Sequence, residues 1–299
     1  MKTMLKLYFK GVAMGAADIV PGVSGGTIAL ITGIYEELIY SIKNINLTLF
    51  KILFQHGVKE FWKKLNGNFL LILVLGIGTS VILLAQIIVF LLDNHEYKIW
   101  GFFFGLILSS AFLILKDINH LSYNKTIWIL SGITIAAIIS LSNTTKIPDS
   151  DIFIFFTGSI AITAMILPGI SGSFILLLLS KYEYIITAIK EFDIRVILIF
   201  GFGCIFGLII FSRLLHFLFE NHKDNLLSLL SGFLIGSLVK IWPFRKTIET
   251  RTNSDGVLEA VTTQPIFPNI ELQQEILFFI VFSIIGYFLI TIIQKKSIS

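Results

Sequence analysis

The chain has 299 residues but only one cysteine, Cys204, so no disulfide can close within it. Cys204 lies in an apolar run and reads as a buried, inert thiol. The five histidines show no ligand spacing, and His95 and His222 sit in matched Asn-His turns that read as loops, so neither a metal nor a cofactor is expected. Charge is scarce as well: 14% of residues are charged against 55% hydrophobic, which excludes a soluble domain of this length. The net charge of +4 comes from basic residues scattered through short loops that also carry Asp and Glu. That pattern argues against nucleic acid as a partner and for membrane orientation and contact with membrane lipids. The class that remains is an all-α integral membrane protein.

Apolar runs long enough to cross a hydrocarbon core of roughly 30 Å recur at Phe69–Leu92, Ile99–Leu115, Ile127–Leu141, Val196–Phe219, Leu226–Trp242 and Ile276–Ile293. Two more, near Val12–Ile39 and Ile152–Leu179, are interrupted by Pro-Gly. The start, "MKTMLKLYFKGVAMGAAD", imitates a signal peptide, but its apolar stretch is short and leads straight into the first interruption, so it reads as retained sequence.

The interruptions repeat. "ADIVPGVSGGT" and "AMILPGISGSF" align at an offset of 147, pairing Pro21 with Pro168, Gly22 with Gly169, Ser24 with Ser171 and Gly25 with Gly172. Further on, an offset of 127 pairs Gly76 with Gly203 and Gly105 with Gly232, so the first half carries an insertion of 20 residues. The expectation is one membrane domain over 1–299, with a first repeat at 11–142, an amphipathic insertion at 44–66 and a second repeat at 152–293. Each repeat reads as a re-entrant Pro-Gly-broken helical hairpin followed by three transmembrane helices. Three crossings per half make the repeats inverted. Lys2, Lys6 and Lys10 then share a face with Lys43, Lys51, Lys59, Lys63 and Lys64, a positive-inside signal that places both termini in the cytoplasm. The polar segment "RKTIETRTNSDGVLEAVTTQPIFPN" reads as an extracytoplasmic loop with little fixed structure.

Proline removes a donor and disfavours helix in the residue before it, so Val20 and Leu167 are expected helix ends. Gly22, Ser24, Gly25, Gly26 and Thr27 then offer free N–H groups and hydroxyls ahead of a second half-helix starting near Ile28. Gly169, Ser171, Gly172 and Ser173 repeat the arrangement. Backbone of this kind binds anions, and paired broken helices in two repeats point to a transporter's substrate site. The plainer alternative is that Gly and Ser let helices approach closely.

Ionisable residues in such runs are functional candidates. Arg213, whose repeat partner is Gln86, could hold a phosphate by two hydrogen bonds, or could snorkel to its helix end and pair with Glu220. Asp18, matched by Met165, sits at a half-helix C-terminus, where it is a candidate proton carrier or an ordinary cap. Glu36 and Glu183 follow matched tyrosines and read as interfacial anchors or gates.

The paired "PGVSGGT" and "PGISGS" resemble the PopT-like polyprenyl-phosphate transporter family, once a bacterial and archaeal membrane domain of unknown function, over nearly the whole chain. The resemblance implies return of undecaprenyl phosphate across the bacterial cytoplasmic membrane for cell-envelope polymer synthesis, by a multi-pass protein that is not an enzyme. It transfers the headgroup motif to Pro21, Gly22, Ser24, Gly25, Gly26 and Thr27 and to Pro168, Gly169, Ser171, Gly172 and Ser173. Two other readings stay open. One is an undecaprenyl-diphosphate phosphatase, whose "PGxSRSG"-like stretch differs here by Gly172; the other is a transporter of a small soluble anion.

Overall fold

The computed structural model describes residues 2–20, 22–118, 122–252, 258–268 and 272–298. Pro21 lies outside the described residues. In chain order the elements are α1 (Lys2–Ile19), α2 (Gly25–Ile31), α3 (Tyr35–Lys43), α4 (Leu47–Leu65), α5 (Gly67–Asn94), α6 (Glu96–Lys116) and α7 (Tyr123–Leu141). They continue with α8 (Asp151–Ile166), α9 (Gly172–Leu178), α10 (Tyr182–Lys190), α11 (Ile194–Asn221), α12 (Lys223–Ile241), β1 (Arg245–Thr252), β2 (Leu258–Pro265) and α13 (Gln273–Ile298). Six of these, α5, α6, α7, α11, α12 and α13, are long and apolar enough to cross a membrane, and they cover the six expected runs except for Trp242, which caps α12. The protein is a multi-pass membrane protein with a helical body.

Both breaks fall where proline dictates. Helix α1 stops at Ile19 and α8 at Ile166, and the helices resume at Gly25 and Gly172. That is three residues earlier than the Ile28 expected for the first half. Ser24 adopts the extended conformation of an N-cap and accepts from the Gly26 N–H, which lets the two glycines join the helix. Gly22 and Gly169 take φ of +88° and +83°, a region that favours glycine, so the chain turns at each of them.

The sequence repeat is also a backbone repeat. Helices α2 and α9 have seven residues each, α3 and α10 nine, α5 and α11 28. His95 and His222, expected in loops, both act as matched helix junctions, with φ/ψ of −139°/40° and −141°/42°. The chain around each break is bent. Lys10 Nζ donates to the Thr32 carbonyl at 2.6 Å, placing the end of α2 beside the middle of α1. Helices α9 and α10 are bent by 109°.

Helix α1 packs on α5, and α8 on α11. The last helix of each half instead packs on the middle spanning helix of the other, α7 on α12 and α13 on α6. Glycine permits the approach: a Cβ on Gly132 or Gly232 would run into the backbone of the facing helix, as would one on Gly105 or Gly286. The main core is built around these contacts and includes Ile107, Leu230 and Leu234, all fully buried.

The polar segment expected to lack structure forms an antiparallel hairpin of β1 and β2. Its alternating Thr, Ile and Val suit strands, and it is tied down by Trp242 Nε1 donating to the Ile266 carbonyl and by the Arg245 guanidinium donating to Val239 and Thr263. Within the insertion, α4 begins at an Asn46 cap, bends at Gly57 and leaves Leu47, Phe50, Phe54 and Val58 exposed. Cys204 is half-buried in α11, within reach of the Gly158 carbonyl.

Candidate functional site

The two breaks meet. Because α8 stops at Ile166 and Pro168 has no N–H to give, the last carbonyls of α8 lack intrahelical donors. The first half supplies them: Ser24 Oγ donates to the Met165 carbonyl at 2.8 Å and the Tyr35 hydroxyl donates to the Ile166 carbonyl at 3.1 Å. In return, Thr27 Oγ1 accepts from the Gly169 N–H at 3.0 Å. Gly26 must be small here, since a Cβ would strike the Ile166 carbonyl. Ser24 and Thr27 are fully buried, so their hydroxyls act as struts between the halves.

The breaks then differ in how their polar groups are satisfied. In the first, every N–H of the opening turn of α2 has an internal acceptor. Gly25 donates to Asp18 Oδ1 at 2.6 Å, Gly26 to Ser24 Oγ at 3.0 Å and Thr27 to the Ser24 carbonyl at 2.9 Å. Asp18, misplaced at the end of α1, is therefore well placed at the start of α2, where negative charge is favoured. In the second break Met165 stands in the place of Asp18, and no described side chain caps α9. The Ser171 and Ser173 hydroxyls lie 2.7 Å apart, bonded to each other.

The other expected residues are spread more widely. Arg213 is exposed on α11 along a stripe with Phe206, Ile210 and Phe217, away from the buried face that carries Ser212 and Leu215. Glu220, its expected partner, lies 3.0 Å from His216 Nε2. Glu36 pairs with Lys223 at 3.0 Å, both well exposed, a contact worth about 0–1 kcal/mol. Glu183 is exposed in the first turn of α10.

Sequence reasoning passed over Lys240. It lies near the end of α12, with its stem against Gly22 and its Nζ 3.9 Å from the centre of the Phe174 ring in the second break. The signal was available: Lys240 is a lysine inside the run Leu226–Trp242, the same kind of cue that singled out Arg213. Among the described residues, no three His, Cys, Asp or Glu side chains gather where they could hold a metal.

Residues 14–259, which include both breaks and α12, match the family described as VCA0040-like, undecaprenyl phosphate translocase-like. A polyprenyl-phosphate transporter of Vibrio cholerae serotype O1 is 46% identical over 257 residues, 85% of this chain and 83% of its own length. A polyprenyl-phosphate transporter of Staphylococcus aureus is 35% identical over 252 residues, 78% of this chain and 84% of its own length. No solved structure matches the chain. A match spanning most of the sequence, together with relatives at this identity and coverage, places the chain in the VCA0040-like, undecaprenyl phosphate translocase-like family.

Proposed function

We propose that the protein carries a polyprenyl phosphate, undecaprenyl phosphate in particular, across the bacterial cytoplasmic membrane and returns it for envelope polymer synthesis. The observation that carries the reading is the meeting of both Pro-Gly breaks at one place in a chain of this family. The repeats 11–142 and 152–293 are read as inverted, with α1–α2 and α8–α9 as re-entrant hairpins and α4 lying in the cytoplasmic interface.

A phosphate monoester carries a charge of about −1.5 to −2 near neutral pH and needs donors. We assign its first contacts to the second break, where Ser171, Gly172 and Ser173 have donors that no described acceptor outside the Ser171–Ser173 pair engages. Pro168 and Gly169 set the turn that presents them. In the first break Gly22 sets the matching turn, Gly25 is held by Asp18, and Ser24, Gly26 and Thr27 join the halves. Asp18 is read as the proton-coupled or gating acid, since releasing Gly25 would uncover a second donor. Glu36 and Glu183 are read as outer gates. Arg213, exposed beside apolar residues, is read as meeting the headgroup as it arrives from lipid. The chain is read as a carrier rather than a phosphatase because both relatives are named transporters and Gly172 stands where that enzyme's stretch places arginine.

The test is reconstitution. Liposomes holding the purified protein should equilibrate a labelled prenyl phosphate between leaflets well above the protein-free rate. The Ser171→Ala/Ser173→Ala variant should lose about ten-fold of that rate, the loss of roughly one hydrogen bond to a charged group, with thermal stability unchanged. Movement no faster than in protein-free liposomes would remove the transporter reading. Equal competition by inorganic phosphate would shift it to a soluble anion.

A further inference from the structure

One face of α12 serves both breaks. Phe233 and Ser237 close on Gly169, while Lys240 and Ile241 close on Gly22. Phe233, Ser237 and Lys240 follow at spacings of four and three, so they form one stripe along the helix. A Cβ on Gly22 would stand 2.9 Å from Lys240 Cγ, so the glycine makes room for the lysine stem. The ammonium then rests on the face of the Phe174 ring in α9, beside the second break.

A cation within a membrane-spanning helix is costly and ordinarily finds an acid. The ion pairs among the described residues do not include Lys240. Asp18, the acid of the first break, is turned to the Gly25 amide instead. Arg245, the next cation along, is committed to Val239 and Thr263. An aromatic face holds an ammonium more weakly than a phosphate does. By the repeat offset of 127, the counterpart of Lys240 is Leu113, so the charge belongs to one half alone.

We propose that Lys240 supplies the positive charge that binds the phosphate headgroup, exchanging the Phe174 ring for phosphate oxygens. This rests on the transporter reading above and adds the counter-charge that reading lacks at the breaks. Lysine acylation of the wild-type protein in nanodiscs, read by mass spectrometry, tests it directly. A short-chain prenyl phosphate at about ten times its Kd should slow acylation of Lys240 about ten-fold. The matching uncharged prenol should not slow it, and Lys223, at the far end of α12, should react unchanged with either. In parallel, Lys240→Met should weaken prenyl-phosphate binding about ten-fold or more, while Lys240→Arg retains most of it. Unprotected Lys240 in protein that binds the lipid, or wild-type affinity in Lys240→Met, overturns the role of Lys240 and leaves the transporter reading standing. Failure of the wild-type protein to bind prenyl phosphate overturns both. Because acylation is read on the unaltered chain, a Lys240→Met variant that misfolds does not remove the test.

Discussion

Gly169 holds two constraints at once. Its φ of +83° disfavours any side chain, and a Cβ would lie 2.9 Å from Ser237 Oγ and 3.0 Å from the Phe233 carbonyl. Gly33 has only the first constraint, with φ of +73° and open space around it. Gly169→Ala should therefore cost about 2–4 kcal/mol and Gly33→Ala about 1–2 kcal/mol, a difference that thermal unfolding in detergent would resolve. Equal losses would mean that α12 gives way easily at the break. At this scale the sequence was partly legible. Pro168 and Gly169 announced a helix end and a reversal, because both act through the local backbone. Asp18 was visible only as an oddity, since its acceptor role depends on Gly25 returning seven residues later to lie beside it. The bonds that the Ser24 and Thr27 hydroxyls make to the opposite half, 141 and 142 residues away, were not legible at all. No local pattern carries that information.

Helices announce themselves more plainly than sites. Each of the six candidate spanning helices is a long, predominantly apolar stretch without proline, and length against bilayer thickness is enough to find it. The hairpin of β1 and β2 was missed because its Thr-rich composition also suits a loop; its Asp255-Gly256 turn signal falls outside the described residues. Helix α4 was expected from its mixture of aromatic residues and lysines, but the bend at Gly57 was not. Its exposed Leu47, Phe50, Phe54 and Val58 are a poor surface to leave in water. A nitroxide on Phe54→Cys, in a Cys204→Ala background, should collide more with oxygen than with an aqueous nickel chelate in liposomes. The reverse order would place α4 in the aqueous phase.

At the scale of the molecule, the halves are not independent. Helix α7 is sequestered on α12 and α13 on α6, so each half lacks a wall that the other provides. Residues 1–142 or 143–299 expressed alone should aggregate or be degraded, and co-expression should restore a single monodisperse species on size exclusion. A half that is stable by itself would show that the exchanged contacts are dispensable. The sequence disclosed two copies of one design but not this exchange, because an offset between repeats records resemblance and says nothing about which copy each helix touches.

That exchange also decides which parts of the molecule can move. Pulling the halves apart as two rigid bodies would tear the glycine-lined seams at Gly132 and Gly232 and at Gly105 and Gly286 together. Helices α6, α7, α12 and α13 therefore act as a chassis, bolted crosswise, and the pairs α1–α5 and α8–α11 are two arms hung on it. The arms meet where the two breaks join and where α3 lies on α11, and α12, which lies against both breaks, is the bearing on which a change in their angle would be felt.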